Sequence, residues 1–145
     1  MILITRPQNE AKLLKKILDD MKLVSIIDPV ISFEFNQRIF LPSKKSIYLV
    51  ASYQAVLGLE KKRNKKEIFK RCRFHVIGNK AKDRILSNNG MVLKVFNNSD
   101  QYRKFLTTQK KLKHIKIVYL CSNAYNKELV KILDNIFKNV QKRYI

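Results

Sequence analysis

Polar residues, and in one case a glycine, follow four of the predicted strands. Their types and positions suit the binding of anions. In chain order they are Thr5 and Arg6, Ser52, Gly78 and Asn79, and Ser122 and Asn123. The carboxyl ends of parallel strands meet at one edge of a sheet, beside helix N-termini whose free N–H groups and dipoles favour carboxylates and phosphates. The pattern predicts an anion-binding edge. The competing interpretation is that each serine or asparagine only caps a helix.

Other kinds of site lack the residues that they need. The three glycines are too dispersed to form a phosphate-binding loop. His75 and His114 have no second ligand at metal spacing and no serine or cysteine partner for nucleophilic catalysis. Cys72 and Cys121 match no metal or redox spacing, so we expect reduced, partly buried thiols. No motif indicates cofactor chemistry, and we expect no cofactor and no metal.

The elements that must position the polar residues alternate between strand and helix. Ile2–Ile4 is a continuous apolar run typical of a buried parallel strand, and Ala11, Leu14, Leu18 and Met21 form a helical stripe widened by Leu13 and Ile17. Further strands are predicted at 24–27, 47–51, 74–77, 91–96 and 115–120, with helices at 54–60, 80–87, 99–106 and 127–137 and extended segments at 30–35 and 140–144. Ser52 and Ser99 are the predicted caps of their helices. This alternation predicts an α/β fold with a parallel sheet.

The net charge of +20, from 31 Lys and Arg against 11 Asp and Glu, is the second notable feature. Such a field attracts nucleic acid, an anionic membrane surface or a metabolite with several carboxylates. Compositional drift in an AT-rich genome explains the same charge, and both explanations stay open. For the basic run from Glu60 to Arg73, a solvated helix face is favoured over a nucleic-acid patch. No apolar run approaches the roughly 20 residues of a membrane span, so we expect no membrane partner. The expected reduced thiols indicate a cytoplasmic protein.

Several segments resemble the uroporphyrinogen-III synthase family, in an order and spacing that agree over nearly the whole chain. Ile2–Pro7, with Ala11 and Leu14, resembles the opening of that family, and Pro29 with the alternating residues behind it resembles the passage into its first interdomain linker. Val50–Val56 resembles its Thr-Ser-x-Asn-Ala-Val segment, and Val76–Ala81 its Val-Gly-x-x-Thr-Ala turn. Ile117–Leu120 resembles a second-domain strand, and Tyr144 stands where the family has a tyrosine on its return linker.

The resemblance implies two α/β domains, of which the first is discontinuous. Residues 1–36 would be the βαβ unit that begins domain one, 37–45 the interdomain linker, 46–138 a flavodoxin-like domain two, and 139–145 the return linker. Domain one would then be truncated in these residues. The expected partner for it is a separate chain or a second copy of this one.

The resemblance also implies an activity. The family cyclises hydroxymethylbilane to uroporphyrinogen III with inversion of the last pyrrole ring, a lyase step of tetrapyrrole and haem biosynthesis that uses no cofactor. Tyr144 would act as general acid. The residues that would bind substrate carboxylates are Thr5, Arg6, Ser52, Gln54, Gly78, Asn79, Ser122 and Asn123. Gln54 stands where the family has asparagine, and Ala81 where it has threonine.

Two other functions stay open beside this one. A small basic nucleic-acid-binding protein is the main alternative, although aromatic residues are not interleaved with the basic run and no nucleic-acid motif is present. On those grounds we do not expect nucleic acid as a partner. The third possibility is a scaffold that keeps the fold without catalysis.

Overall fold

The structure, a computed structural model, describes residues 1–40, 42–109, 114–122, 125–137 and 140–144. Two units are distinguished, Met1–Glu34 and Phe35–Ile145. The division falls after Glu34, two residues before the predicted end of the first βαβ unit. In the described part of the chain, no helix combines the length and the apolar character that a bilayer crossing requires.

The first unit is a βαβ motif, as predicted. Strand β1 (Ile2–Ile4) pairs in parallel with β2 (Ser25–Ile27), and helix α1 (Gln8–Asp20) connects them. Ile4 and Ala11 are buried between sheet and helix. The apolar stripe predicted on α1 is only partly buried. A single helix packed on one face of two short strands leaves the edges of the stripe and the other face of the strands uncovered. Apolar side chains left exposed by this arrangement include Leu3, Leu13, Ile17, Met21, Val24 and Ile26.

The second unit contains a five-stranded sheet with the order β5-β4-β3-β6-β7. Its strands are β3 (Ser46–Val50), β4 (Arg73–Ile77), β5 (Met91–Phe96), β6 (Lys116–Cys121) and β7 (Val140–Tyr144), and every pairing is parallel. Its helices are α2 (Tyr53–Glu60), α3 (Lys65–Arg71), α4 (Asn79–Ser87), α5 (Ser99–Thr108) and α6 (Lys127–Ile136).

Helices on both faces of this sheet produce two apolar cores. Side chains of α2, α3 and α4 pack with Tyr48 and Val50 on one face, and those of α5 and α6 pack with Ile47 and Leu49 on the other. This three-layer arrangement confirms the predicted α/β class and is consistent with a flavodoxin-like fold. Counted within the unit, the strand order is 3-2-1-4-5, whereas flavodoxin itself has 2-1-3-4-5.

Three segments make contacts that the sequence analysis did not indicate. Segment 37–45, expected as a linker, belongs to the second unit, where Phe40 is buried against Tyr48 with ring centroids 5.4 Å apart. The segment expected as a return linker contains β7, whose backbone pairs with β6. The cap of α5 is Asn98 rather than Ser99, because the Asn98 side chain accepts the hydrogen bond from Gln101 N.

Gly90 is required by a close approach between the end of α4 and the start of β5. The helix ends as predicted, with Asn89 at a φ of 57° and Gly90 N donating to Ile85 O over 2.9 Å. A Cβ on Gly90 would lie 2.5 Å from Ile85 Cγ2 and 3.0 Å from Ile85 O. Backbone and a buried side chain both block that position.

We therefore expect Gly90→Ala to lower the free energy of unfolding by about 1–3 kcal/mol, as overpacking does elsewhere. Asn89→Gly is the matched control, because glycine adopts a positive φ without strain, and it should change stability by less than about 0.5 kcal/mol. Urea denaturation of both variants checks this. Equal stabilities for the two variants would contradict the close contact.

Candidate functional site

A cavity of about 270 Å³ lies at the carboxyl edge of the five-stranded sheet. Strands β3 and β6, which form its floor, are neighbours in the sheet, and the connections that follow them lead to opposite sides of it. Such a switch point is where open α/β sheets bind ligands. The lining residues are Ala51, Ser52, Ile77, Ser99, Tyr119, Leu120, Cys121, Ser122, Tyr125, Asn126 and Leu129.

Helix caps account for two of the polar groups around this cavity. Ser52 Oγ accepts a hydrogen bond from Ala55 N over 3.2 Å, and Asn126 Oδ1 accepts one from Leu129 N over 3.0 Å. The capping interpretation is therefore right for Ser52. The sequence analysis missed Asn126, although an asparagine directly before an amphipathic run is a recognisable cap signal. Both side chains have oxygen lone pairs left for a further donor.

The remaining predicted residues of the second unit differ in their exposure and in the hydrogen-bonding groups that they leave available. Gly78 has a φ of 97°, and its N–H donates to Phe96 O over 2.8 Å, so this N–H extends the pairing of β4 with β5. Asn79 is exposed as the first residue of α4, and Gln54 is half-buried in the first turn of α2. Ser122 is exposed and lines the cavity. Asn123 lies outside the described residues.

The two ends of the chain contribute the other predicted residues. Thr5 and Arg6 follow β1 in the first unit, where both are exposed. Tyr144 is the last residue of β7, and its backbone is in register with Cys121, a residue of the cavity. The parallel sheet therefore brings Tyr144 to the same edge as Ser52 and Ser122.

Cations stand beside aromatic rings at this edge. Lys142 Nζ lies 4.8 Å from the centroid of the Tyr125 ring and 3.3 Å from its hydroxyl oxygen, and Tyr125 lines the cavity. Lys80 Nζ lies 4.4 Å from the centroid of the Tyr53 ring. Stacking of a cation on a ring holds the charge in place without neutralising it. The edge therefore keeps positive potential close to its polar groups.

Two titratable groups of the cavity are poor acid–base catalysts near neutral pH. Burial raises the pKa of Tyr119 above its usual range, and burial likewise raises the pKa of Cys121. The second thiol, Cys72, is also buried, which raises its pKa to about 12. Both cysteines are free and more buried than expected, and protonated thiols are poor nucleophiles.

His75 is a core residue. Its ring packs edge-on against Phe96, Tyr102 and Phe105, with centroids 5.7–6.0 Å apart, and its Nδ1 lies 3.4 Å from Tyr102 Oη. Burial and, to a smaller extent, the nearby charge of Lys94 lower the pKa of His75 to about 4. Within the described ranges, no group of three or more His, Cys, Asp or Glu side chains is placed to hold a metal ion.

No protein-family model matches this chain, and no curated protein matches it significantly.

Replacement of Ser52 separates capping from ligand binding. Ser52→Ala should lower the free energy of unfolding by about 1 kcal/mol, because Ala55 N loses its acceptor. Ser52→Asp should keep the stability of the parent, since aspartate caps as well as serine does. Urea denaturation of both variants is the measurement. A Ser52→Asp variant as unstable as Ser52→Ala would show that the cap is not what Ser52 contributes.

His75 makes stability depend on pH. Between pH 4 and pH 6.5 the unfolded chain binds a proton at this histidine and the folded chain does not. The free energy of unfolding should therefore fall by about 3 kcal/mol from this residue as the pH drops through that range. His75→Phe should flatten the profile, because phenylalanine binds no proton at this position. Denaturant titrations at several pH values measure this, and parallel profiles for the parent and His75→Phe would refute it.

Proposed function

We propose that this chain is a protein of the uroporphyrinogen-III synthase type, which binds hydroxymethylbilane and closes it to uroporphyrinogen III with inversion of the last ring. The observation that carries the proposal is the cavity at the switch point, with cap residues and cations around it. The resemblance of the sequence supports the same class. The two free, buried thiols accord with a reducing cytoplasm.

Substrate recognition in this proposal rests on carboxylates. Every ring of the linear tetrapyrrole carries carboxylates. Each carboxylate needs hydrogen-bond donors or cations that are held in place before the ligand binds. Lys80 and Lys142, held against aromatic rings, supply charge at the carboxyl edge. The first turn of α2 and exposed Ser122 supply N–H and O–H donors. Thr5, Arg6, Gln54, Asn79 and Asn123 are the further proposed contacts.

The chemical step in this proposal is mostly one of positioning. Loss of the terminal hydroxyl as water leaves a reactive azafulvene end. For inversion, this end must bond to the carbon of the last ring that already carries the link to the third ring, and that link must break and reform at the free α-carbon of the last ring, which gives up a proton as the macrocycle closes. Tyr144 is the proposed general acid that gives a proton to the departing hydroxyl. Its position in register with Cys121 at the carboxyl edge supports that role.

The first unit supports a further part of the proposal, that a protein partner covers its exposed apolar side chains. Two parallel strands and one helix bury little apolar surface, and parallel sheets are normally covered on both faces. Leu3 and Ile26 are 58% and 48% exposed, although each lies in a strand. A separate chain or a second copy would cover them.

The decisive assay supplies the chain with hydroxymethylbilane and separates the products by chromatography. We expect the inverted isomer in excess over the isomer that closes without inversion. Tyr144→Phe should reduce turnover by about 10²–10⁴-fold, as loss of a general acid does, and leave substrate binding unchanged. Unchanged turnover in Tyr144→Phe would show that Tyr144 is not the general acid. Absence of the inverted isomer would show that the chain lacks the proposed activity.

Ser52→Asp tests the binding edge in the same assay. It keeps the cap but places a negative charge where substrate carboxylates are proposed to bind, so binding should weaken at least about tenfold, equivalent to 1.4 kcal/mol. Asp134→Asn on an exposed part of α6 is the control that changes one charge elsewhere, and it should bind as the parent does. Equal binding by Ser52→Asp and the parent would place the ligand away from α2.

A further inference from the structure

The amino-terminal edge of the five-stranded sheet, opposite the cavity, is densely basic. The exposed cations of this basic edge lie just before β3, between α2 and β4, and at the first residue of β6: Lys44, Lys45, Lys61, Arg63, Lys65, Lys66, Lys70, Arg71 and Lys116. They come from separate stretches of sequence. The parallel topology brings them together, because all strands begin at the same edge.

The strand register fixes the centre of the basic edge. Lys116 is paired with Ser46, the residue that follows Lys45 at the start of β3, and Arg73 is paired with Ile47 on the other side of β3. Neighbouring strands are about 4.8 Å apart. Basic residues therefore stand at the starts of three adjacent strands, whose backbones lie within about 10 Å of one another.

Acidic residues neutralise little of this charge. Glu67 forms an ion pair with Arg71 over 2.8 Å, and Glu60 is engaged by Arg84 and Asn88. In the described part of the chain, Glu67 and Glu60 form their ion pairs with Arg71 and Arg84 rather than with the lysines of α3 and the preceding turn, although the charge of Lys65 is close enough to help lower the pKa of Glu60. The basic edge carries uncompensated positive charge.

The backbone beneath these lysines is anchored. Lys62 is buried, and its Nζ donates to Asn36 O; Asn64 Nδ2 donates to Phe40 O over 2.6 Å. Ile68 and Phe69 of α3 are buried in the core. The charges therefore stand on a folded surface, unlike those of a solvated tail.

The distribution of charge between the two units argues against drift as the whole explanation. Residues 1–34 contain five Lys or Arg and five Asp or Glu, whereas residues 35–145 contain 26 and six, so the second unit holds the entire +20. Drift in base composition acts on both units alike. The excess is specific to the unit that carries the basic edge.

We propose that the basic edge binds the phosphate backbone of nucleic acid, without sequence preference and independently of the tetrapyrrole site. Many fixed cations and few acids match a chain of phosphates, whose binding is mostly electrostatic. An anionic membrane is the weaker fit, since surface binding needs exposed apolar side chains among the cations. In the described ranges, no exposed large apolar residue lies at 44–45, 61–73 or 114–116, and Met91, the first residue of β5 and in register with Arg73, is the one such residue at a strand start of this edge.

The test measures binding of a labelled DNA duplex of about 20 base pairs by fluorescence anisotropy at several salt concentrations. The logarithm of the affinity should fall linearly with the logarithm of salt, with a slope of about −0.9 per phosphate contact. Replacing Lys65, Lys66 and Lys70 with glutamine should weaken binding at least about tenfold and make the slope shallower by about 2–3. Circular dichroism and urea denaturation show whether this variant keeps its fold.

Replacement of Lys104, Lys127 and Lys131 with glutamine is the matched control. It removes the same charge from exposed positions of α5 and α6, on the other face of the sheet, and should leave affinity and slope near those of the parent. Equal losses in both triple variants would show that net charge, not the basic edge, attracts DNA. Binding to vesicles containing anionic lipid, with no binding to DNA, would also overturn the proposal. Ser52→Asp should bind DNA as the parent does, which separates this site from the proposed tetrapyrrole site.

Discussion

The parallel pairing of β3 with a strand on each side is the constraint on which the second unit depends. All five residues of Ser46–Val50 are buried. Tyr48 and Val50 enter one core, and Ile47 and Leu49 enter the other, so a single strand joins both layers of helices. The chain runs outward from β3 in both directions, to β4 and β5 on one side and to β6 and β7 on the other. The cavity lies where these two halves separate.

Local patterns were enough to predict most elements, and long-range contacts explain the differences. Continuous apolar runs predict β3, β4 and β6 because strands covered on both faces need no alternation. Phe40 is different: its burial depends on a ring contact with Tyr48 and on Asn64 bonding its carbonyl, and no spacing in the sequence indicates either. The βαβ pattern was recognisable in the first unit, but the exposure of Leu13 and Ile17 was not, because it depends on what else covers the sheet.

The edge that carries the candidate site was predictable, whereas the state of its polar groups was not. Topology alone places the ends of β3 and β6 together. Whether a serine hydroxyl or a glycine N–H is free for a ligand depends on the local backbone. The Ser52 hydroxyl oxygen accepts a bond from Ala55 N, and the Gly78 N–H donates to Phe96 O. The approach of Lys142 to Tyr125 joins residues 17 positions apart through the β6–β7 pairing, so neither sequence segment indicates it alone.

One parallel sheet can offer two anion sites because its two edges differ chemically. The carboxyl edge presents helix N-termini, whose N–H groups act over a few ångströms and suit single carboxylates in a cavity. At the amino-terminal edge the attraction comes mainly from side-chain charge, which acts over a Debye length of about 8–10 Å. Exposed lysines from several elements suit an extended polyanion better than a compact ligand. The first unit has no net charge and exposes apolar side chains. Its surface therefore suits contact with another protein surface better than either kind of anion binding.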